Sequence, residues 1–120
     1  MNYTEIKTFE DACKALNITP ATFDFSLMPI EHQKSMAAYC KLVVIANALN
    51  EDWKADFENA NQIKYVPYFI YRSGFGLSYH GYDYWNTSAL VGSRLCYKSR
   101  ELAIYAAKQF ADIYNDFLSK

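Results

Sequence analysis

Residues 64–86, KYVPYFIYRSGFGLSYHGYDYWN, decide the fold of this chain. The first nine of them are rich in aromatic and β-branched side chains, which favour a β-strand. Ser73 and Gly74 are typical of a turn. Apolar and polar side chains then alternate through residues 75–81, which predicts a second strand with one buried and one solvated face. Residues 82–89 are predicted to connect that strand to the next element.

Two further features shape the predicted sheet. Pro67 has no N–H to donate to a ladder, so the first strand lies at an edge or carries a bulge there. In the second strand Phe75, Leu77 and Tyr79 share one face, which we expect to be buried. Residues 90–98, LVGSRLCYK, alternate in the same way and predict a third strand. The region is therefore predicted to form a three-stranded antiparallel meander.

Helices are predicted before and after this sheet along the chain, and they are expected to pack largely on one side of it. Thr8 is a good N-cap for a short helix, and Asn17 is a suitable left-handed stop. Pro29 suits the first turn of a longer helix that runs to about Leu49 and is apolar nearly all round, as is typical of a buried helix. After the sheet, Ser99 is predicted to cap a long C-terminal helix with one apolar stripe. We expect that stripe to pack on the sheet.

Length and composition agree with one α+β domain over residues 1–120, with the element order ααβββα. The chain of 120 residues is 52% hydrophobic and carries a net charge of −1, but its 18% aromatic content is high. Three cysteines, far apart and without CxxC spacing, favour a reduced intracellular protein over a disulfide framework or a zinc site. The N-terminus lacks the apolar region of a signal peptide. Residues 36–49 are too short to span a bilayer, so no membrane association is expected.

No motif of known chemistry is present. His80-x-x-Asp83 offers two metal ligands, which do not make a site. The glycines match neither a phosphate-binding loop nor a nucleophile elbow. Cys96 lies among basic residues that lower a thiol pKa, but a buried, inert thiol explains it as well. We therefore expect no catalytic residue, metal or cofactor and favour a non-enzymatic protein. A deep pocket holding His80 with Asp83 or Cys96 would revive the enzymatic alternative.

Positive charge and aromatic rings concentrate in the same part of the chain. Residues 61–100 carry five basic side chains against Asp83 alone, together with ten aromatic residues, whereas residues 1–60 carry five lysines and nine acids. Basic residues beside aromatic rings are used to stack on single-stranded nucleic acid or a nucleotide. The same pattern is also expected for a strand face that is simply exposed to solvent, with Lys and Arg preventing an edge strand from pairing with another chain.

The candidate binding residues follow from this concentration. The aromatic rings continue past residue 81, where the predicted strand ends, and a buried core explains these rings poorly. The candidates are His80, Tyr82, Tyr84, Trp85, Arg94 and Lys98. We expect them to bind a protein partner or a second copy of the chain, with a nucleic acid or nucleotide as the alternative.

Two stretches of the second half, SGFGLSYHGYDYWN and LVGSRLCYKSRELAIYAAKQFADIYNDFL, resemble a family of small uncharacterised proteins. Phages and mobile elements of gut Bacteroides-type bacteria encode that family. The resemblance covers roughly residues 36–118 and is strongest at Val91–Leu95 and Tyr105–Phe117. It implies a phage or prophage origin and a place in the bacterial host cytoplasm or in a virion. No activity is assigned to the family, so the resemblance implies no functional residue.

Overall fold

The structure is a computed structural model that describes residues 2–20, 23–89 and 93–119. Its helices and strands are α1 (Phe9–Ala15), α2 (Ile30–Asn50), β1 (Lys64–Arg72), β2 (Gly76–Trp85), α3 (Arg100–Gln109) and α4 (Ala111–Leu118). Single 3-10 turns lie at Tyr3–Glu5 and Ser93–Leu95. The predicted α+β class is confirmed. The predicted order ααβββα is wrong, because the described residues form two strands and four α-helices in the order ααββαα.

The N-terminal helix begins and ends where its sequence predicts. The Thr8 hydroxyl accepts a hydrogen bond from the Asp11 N–H at 3.0 Å, and the Asp11 carboxylate accepts from the Lys7 and Thr8 N–H groups at 3.0 and 3.2 Å. This reciprocal capping box satisfies donors that a helix start leaves open. The Lys7 N–H is the main cause of a lowered pKa at Asp11. Asn17 has a φ of 55° and ends the helix.

The long helix α2 supplies the largest part of the core. Most of its second half is buried, whereas Ile30 in its first turn is exposed. Its last residue, Asn50, is buried and uses both amide atoms: Nδ2 donates to the Cys96 carbonyl at 2.9 Å, and Oδ1 accepts from the Lys98 N–H at 3.0 Å. The end of α2 therefore holds residues 96–98 in place. Among the described residues, none of the helices has the length and apolar character needed to cross a bilayer.

Strands β1 and β2 form an antiparallel hairpin that runs from the Lys64–Trp85 pair to the Arg72–Gly76 pair. Gly74 has a φ of 83° and Gly76 a φ of 75°. Only glycine adopts this left-handed backbone without strain, which is why the turn forms here. The turn predicted from the sequence is confirmed.

The second strand differs from the prediction at both ends. Phe75 is not part of it but sits at the tip of the turn, 85% exposed, so the expectation that it is buried is wrong. The strand then continues through Trp85, where a connection was predicted. The ladder shifts register between Tyr68 and Phe69, which leaves His80 as an extra residue without a partner. Such a bulge breaks the simple alternation, so the pattern in the sequence ends before the strand does.

The third strand predicted over residues 90–98 is wrong in the part that the structure describes. Residues 90–92 lie outside the described residues, and Ser93–Leu95 forms a 3-10 turn. One bridge remains, in which the Tyr65 N–H donates to the Tyr97 carbonyl at 3.0 Å and the Tyr97 N–H donates to the Tyr65 carbonyl at 2.7 Å. This bridge lies beside β1, whereas a meander would place the third strand beside β2.

Pro67 explains why the ladder stops after one bridge. Hydrogen-bonded pairs of an antiparallel ladder recur at every second residue, so the pair after Tyr65 and Tyr97 would join Pro67 to Leu95. Proline has no N–H to donate on that edge. The prediction that Pro67 marks an edge of the first strand is therefore confirmed, and the same residue prevents the third strand that was predicted from the alternation pattern.

The predicted C-terminal helix is two helices. Ser99 caps α3 as expected, accepting from the Leu102 N–H at 3.2 Å. The helix then breaks at the buried Phe110, which has a φ of −109° and a ψ of 31°. The break lets the two halves pack on different partners: α3 lies against the hairpin, and α4 lies mainly on α2, where Phe117 contacts Tyr39 with ring centroids 5.3 Å apart and the rings tilted.

Tyr97 lies at the centre of the core and is fully buried. Its hydroxyl is 2.7 Å from the hydroxyl of the buried Tyr114 on α4. Burial raises the pKa of both phenols. The hydrogen bond between these two hydroxyls connects the segment beside β1 to α4 within the core.

Candidate functional site

The six candidate residues fall into two groups that lie on opposite sides of β1. Four of them are on β2, namely His80, Tyr82, Tyr84 and Trp85. Arg94 lies in the 3-10 turn, and Lys98 follows the bridge at Tyr97, which pairs with the edge of β1 that faces away from β2. The predicted patch needs these basic residues on a strand beside β2, and the structure does not bring them there.

The basic side chains of residues 61–100 are also less available than the sequence indicates. Lys98 pairs with Glu51 at 3.2 Å, and Arg100 pairs with Glu101 at 3.1 Å. Lys64 is completely buried. Among the described residues, Arg72 and Arg94 are the members of this set that make no ion pair and are not enclosed.

Lys64 binds backbone oxygens in place of a carboxylate. Its ammonium group donates to the carbonyls of Asn59 at 3.1 Å, Gln62 at 2.9 Å and Asn86, and lies 5.1 Å from the centre of the Phe57 ring. One side chain thereby fastens the polar connection after α2 to the open end of the hairpin. A buried charge is tolerated where hydrogen bonds satisfy it in this way.

Four aromatic side chains of the hairpin are open to solvent, and we call them together the outer hairpin surface. They do not all share one face, because Tyr68 and Tyr71 are three positions apart on β1 and point to opposite sides. Their exposed fractions range from 45% to 85%, which is unusual for rings of this size. They are Tyr68, Tyr71, Phe75 and Tyr84. The exposed imidazole of His80 lies beside Tyr68, with ring centroids 5.5 Å apart. Tyr82 differs from its neighbours because it is half-buried against the core.

An apolar groove of about 950 Å³ lies between the hairpin, α2, α4 and the turn that precedes Tyr97. Seven aromatic side chains line it, and Trp85 is the one candidate residue among them. The others are Tyr39, Phe57, Tyr68, Phe69, Tyr114 and Phe117. The aliphatic members of the lining include Met36 on α2 and Leu77 on β2.

The groove carries little charge. Asp83 is the one carboxylate among the described lining residues, and its Oδ1 already accepts from the Tyr84 N–H at 2.8 Å. Burial raises the pKa of the Cys96 thiol and of the Tyr114 phenol, so both stay uncharged at neutral pH. The indole N–H of Trp85 is enclosed and finds no acceptor among the described residues.

The groove does not assemble a recognisable catalytic group. Asp83 and Cys96 both line it, but His80 does not, so the combination that would indicate an enzyme is not formed there. Within the described residues, no three His, Cys, Asp or Glu side chains are grouped so that they could bind a metal ion.

Sequence reasoning missed the helical wall of this groove. The apolar faces of the two predicted long helices, which carry Met36, Tyr39 and Phe117, are expected from the sequence to be buried, because such faces pack into a core in most proteins. The sequence did contain one indication of this wall. The apolar surface of α2 is wider than a single neighbouring helix or sheet can cover, so part of it was left over to line a groove. The sequence alone does not tell a buried stripe from the wall of a groove.

Comparisons of the chain with models of known protein families, with curated proteins and with solved structures find no match. The resemblance to phage-encoded proteins therefore stays a prediction.

Proposed function

We propose that this chain is a non-enzymatic binding module that contacts a protein partner, or a second copy of itself, through the outer hairpin surface. The observation that carries the proposal is the exposure of four aromatic side chains on one hairpin. Aromatic residues are enriched at the centres of protein interfaces, where covering them removes a large apolar area from water.

The support is strongest at the tip of the hairpin. Phe75 is 85% exposed and Tyr71 is 68% exposed, and the two belong to neighbouring positions at the turn end. The open end of the hairpin, opposite the turn, is held by Lys64 and by the bridge at Tyr65. The exposed rings are therefore carried on strands that are anchored to the rest of the chain. A preordered aromatic surface binds with a smaller loss of conformational entropy.

Contact through side chains agrees better with the structure than addition of a strand. Within the described residues, no strand pairs with the outer edge of β2. However, the Tyr84 N–H, which points to that edge, already donates to the Asp83 carboxylate. A side chain that occupies an edge donor protects a strand against pairing with another chain.

Binding of a nucleic acid or nucleotide is the second candidate function. The exposure of Arg72 at the turn end of the hairpin favours it, because a cation close to exposed rings is suited to a phosphate next to a base, although Arg72 and Tyr71 point to opposite faces of β1. The ion pairs of Lys98 and Arg100 and the burial of Lys64 leave few cations for phosphates. We therefore rank it below a protein partner.

The proposal is tested by replacing Tyr71 and Phe75 together with serine. The matched control replaces Ile18 and Leu27, which are also exposed apolar residues but lie far from the hairpin in sequence. Sedimentation velocity from 5 to 500 μM, roughly the range of weak interfaces, measures self-association. A photo-crosslinking amino acid at position 75, compared with one at position 18, captures other protein partners in bacterial cells.

We expect one of two results. Either the mass rises with concentration, and the hairpin substitutions but not the control reduce this rise, or protein adducts form from position 75 but not from position 18, and Tyr71→Ser alone reduces them. A monomer at every concentration that gives no adduct from position 75 would refute the proposal. A labelled single-stranded oligonucleotide provides the second comparison. Binding that weakens steeply with salt would replace the protein partner with nucleic acid.

A further inference from the structure

The groove beneath the hairpin is a second feature that needs an explanation. It shares Tyr68 with the outer hairpin surface but not Tyr71 and Phe75 at the tip. Protein interiors are packed to the density of organic crystals and leave few voids larger than one water molecule. A groove of about 950 Å³ with aromatic walls is at the upper end of the range of pockets that hold small molecules. Empty, it leaves apolar surface in contact with water, which is unfavourable.

The charges around the groove define the class of molecule that suits it. Asp83 is the one charged side chain among the described lining residues, and its carboxylate repels an anion. The nearby ammonium of Lys64 is occupied by three carbonyl groups and does not line the groove. A carboxylate or phosphate ligand would therefore lose its hydration without gaining a cation. The walls favour an uncharged molecule.

Trp85 adds one polar requirement. Its indole N–H is enclosed in the wall and has no acceptor among the described residues. An enclosed donor without a partner is unfavourable, and no hydrogen bond fixes this indole in its present orientation. A rotation of the ring that turned the N–H toward a ligand in the groove would therefore break no hydrogen bond.

We propose that the groove binds an uncharged, largely apolar small molecule with one oxygen acceptor, such as a carbonyl, which takes the hydrogen bond from the Trp85 indole. The aromatic walls contact the apolar body of the ligand, and Asp83 excludes anionic analogues. This site is separate from the partner-binding surface at the tip of the hairpin and does not depend on it.

Three probes of nearly equal shape test the proposal: 2-acetylnaphthalene, 2-ethylnaphthalene and 2-naphthoate. The chain has two tryptophans, so its ¹⁵N–¹H spectrum contains two indole signals, which Trp53→Phe assigns. We expect the ketone to shift the Trp85 indole proton downfield and to bind at least about tenfold more tightly than naphthoate, as expected for a charge that is desolvated without a partner. Trp53→Phe itself leaves binding unchanged.

The hydrogen bond is tested with Trp85→Phe, which keeps an aromatic wall and removes the donor. We expect the preference for the ketone over the ethyl compound to fall roughly three- to tenfold in this variant, the usual range for one hydrogen bond. An unchanged preference would overturn the role of the indole.

The location is tested with a matched pair of substitutions on α2. Met36→Trp fills the groove, whereas Ile30→Trp adds the same ring at an exposed position outside it. We expect the first to weaken ketone binding at least tenfold and the second to leave it unchanged, with thermal unfolding confirming that both fold. Failure of all three probes to bind up to their solubility, equal binding of naphthoate, or equal effects of the two substitutions would overturn the proposal.

Discussion

Replacing Lys64 with methionine is the most direct test of how the hairpin is attached to the rest of the chain. The substitution keeps an unbranched side chain of similar length and removes the ammonium group. In the wild-type chain this side chain is completely buried, and its ammonium donates to three backbone carbonyls from two segments, before and after the hairpin. Methionine leaves those carbonyls without a donor.

The size of the effect follows from two opposing contributions. A hydrogen bond to a charged group contributes about 1.5–3 kcal/mol, so three of them stabilise the folded chain by several kcal/mol. Burial of the ammonium removes several kcal/mol of hydration free energy, which offsets part of this gain. Two of the carbonyls belong to the exposed residues Asn59 and Asn86 and can be hydrated in the variant. We expect a net destabilisation of about 2–4 kcal/mol.

Urea unfolding followed by circular dichroism measures this difference. Lys54→Met is the matched control, because Lys54 lies exposed in the same connection. It should change the free energy of unfolding by less than about 0.5 kcal/mol, as is usual for an exposed residue. Amide hydrogen exchange in the first residues of β1 should accelerate in Lys64→Met alone. A free energy of unfolding within about 0.5 kcal/mol of wild type, or higher than wild type, would refute the reasoning.

Three other predictions concern buried polar groups. Tyr97→Phe and Tyr114→Phe should each cost about 1–3 kcal/mol because each leaves one buried hydroxyl unpaired, whereas the double variant should cost less than the sum, as a double-mutant cycle by urea unfolding would measure. Since burial raises the pKa of both phenols, the folded chain keeps their protons above about pH 10 while the unfolded chain loses them. The free energy of unfolding should then fall as the pH rises above about 10, and less steeply in the double variant; equal slopes would contradict this account. Asn50→Ala removes both hydrogen bonds that hold residues 96–98 and should destabilise the chain by about 2–3 kcal/mol in the same assay, and a loss below about 0.5 kcal/mol would show that those backbone groups find other partners.

Local signals in the sequence were reliable where a single residue type fixes the backbone. Thr8, Asn17, Ser99 and the glycines at the hairpin turn each act through their own φ angle or through a hydrogen bond within a few residues. These signals placed the starts of two helices, the end of the first helix and the turn of the hairpin correctly.

The number of strands was not readable from the pattern. Residues 90–98 alternate as a strand should, but pairing depends on the donor that the neighbouring strand offers, and Pro67 offers none at the required position. The bulge at His80 likewise depends on the partner strand, because an extra residue is defined only by what it fails to pair with.

The candidate site shows the same division. The sequence indicated that the aromatic rings beyond residue 81 were of interest, and the structure places Tyr84 on the open surface and Trp85 in the wall of the groove. It could not indicate that Arg94 and Lys98 lie on the other side of β1, since that depends on which edge the bridge at Tyr97 joins.

The sequence by itself determined the α+β class, the helix caps and the turn of the hairpin, because these depend on interactions between residues a few positions apart. Tertiary structure decided the two-stranded sheet, the break at Phe110, the enclosure of Lys64 and the groove that Trp85 borders. Each of these features depends on contacts between segments that are distant along the chain. Burial and pairing are properties of such joined segments, so the same aromatic residue serves as core, groove wall or exposed surface according to what packs beside it.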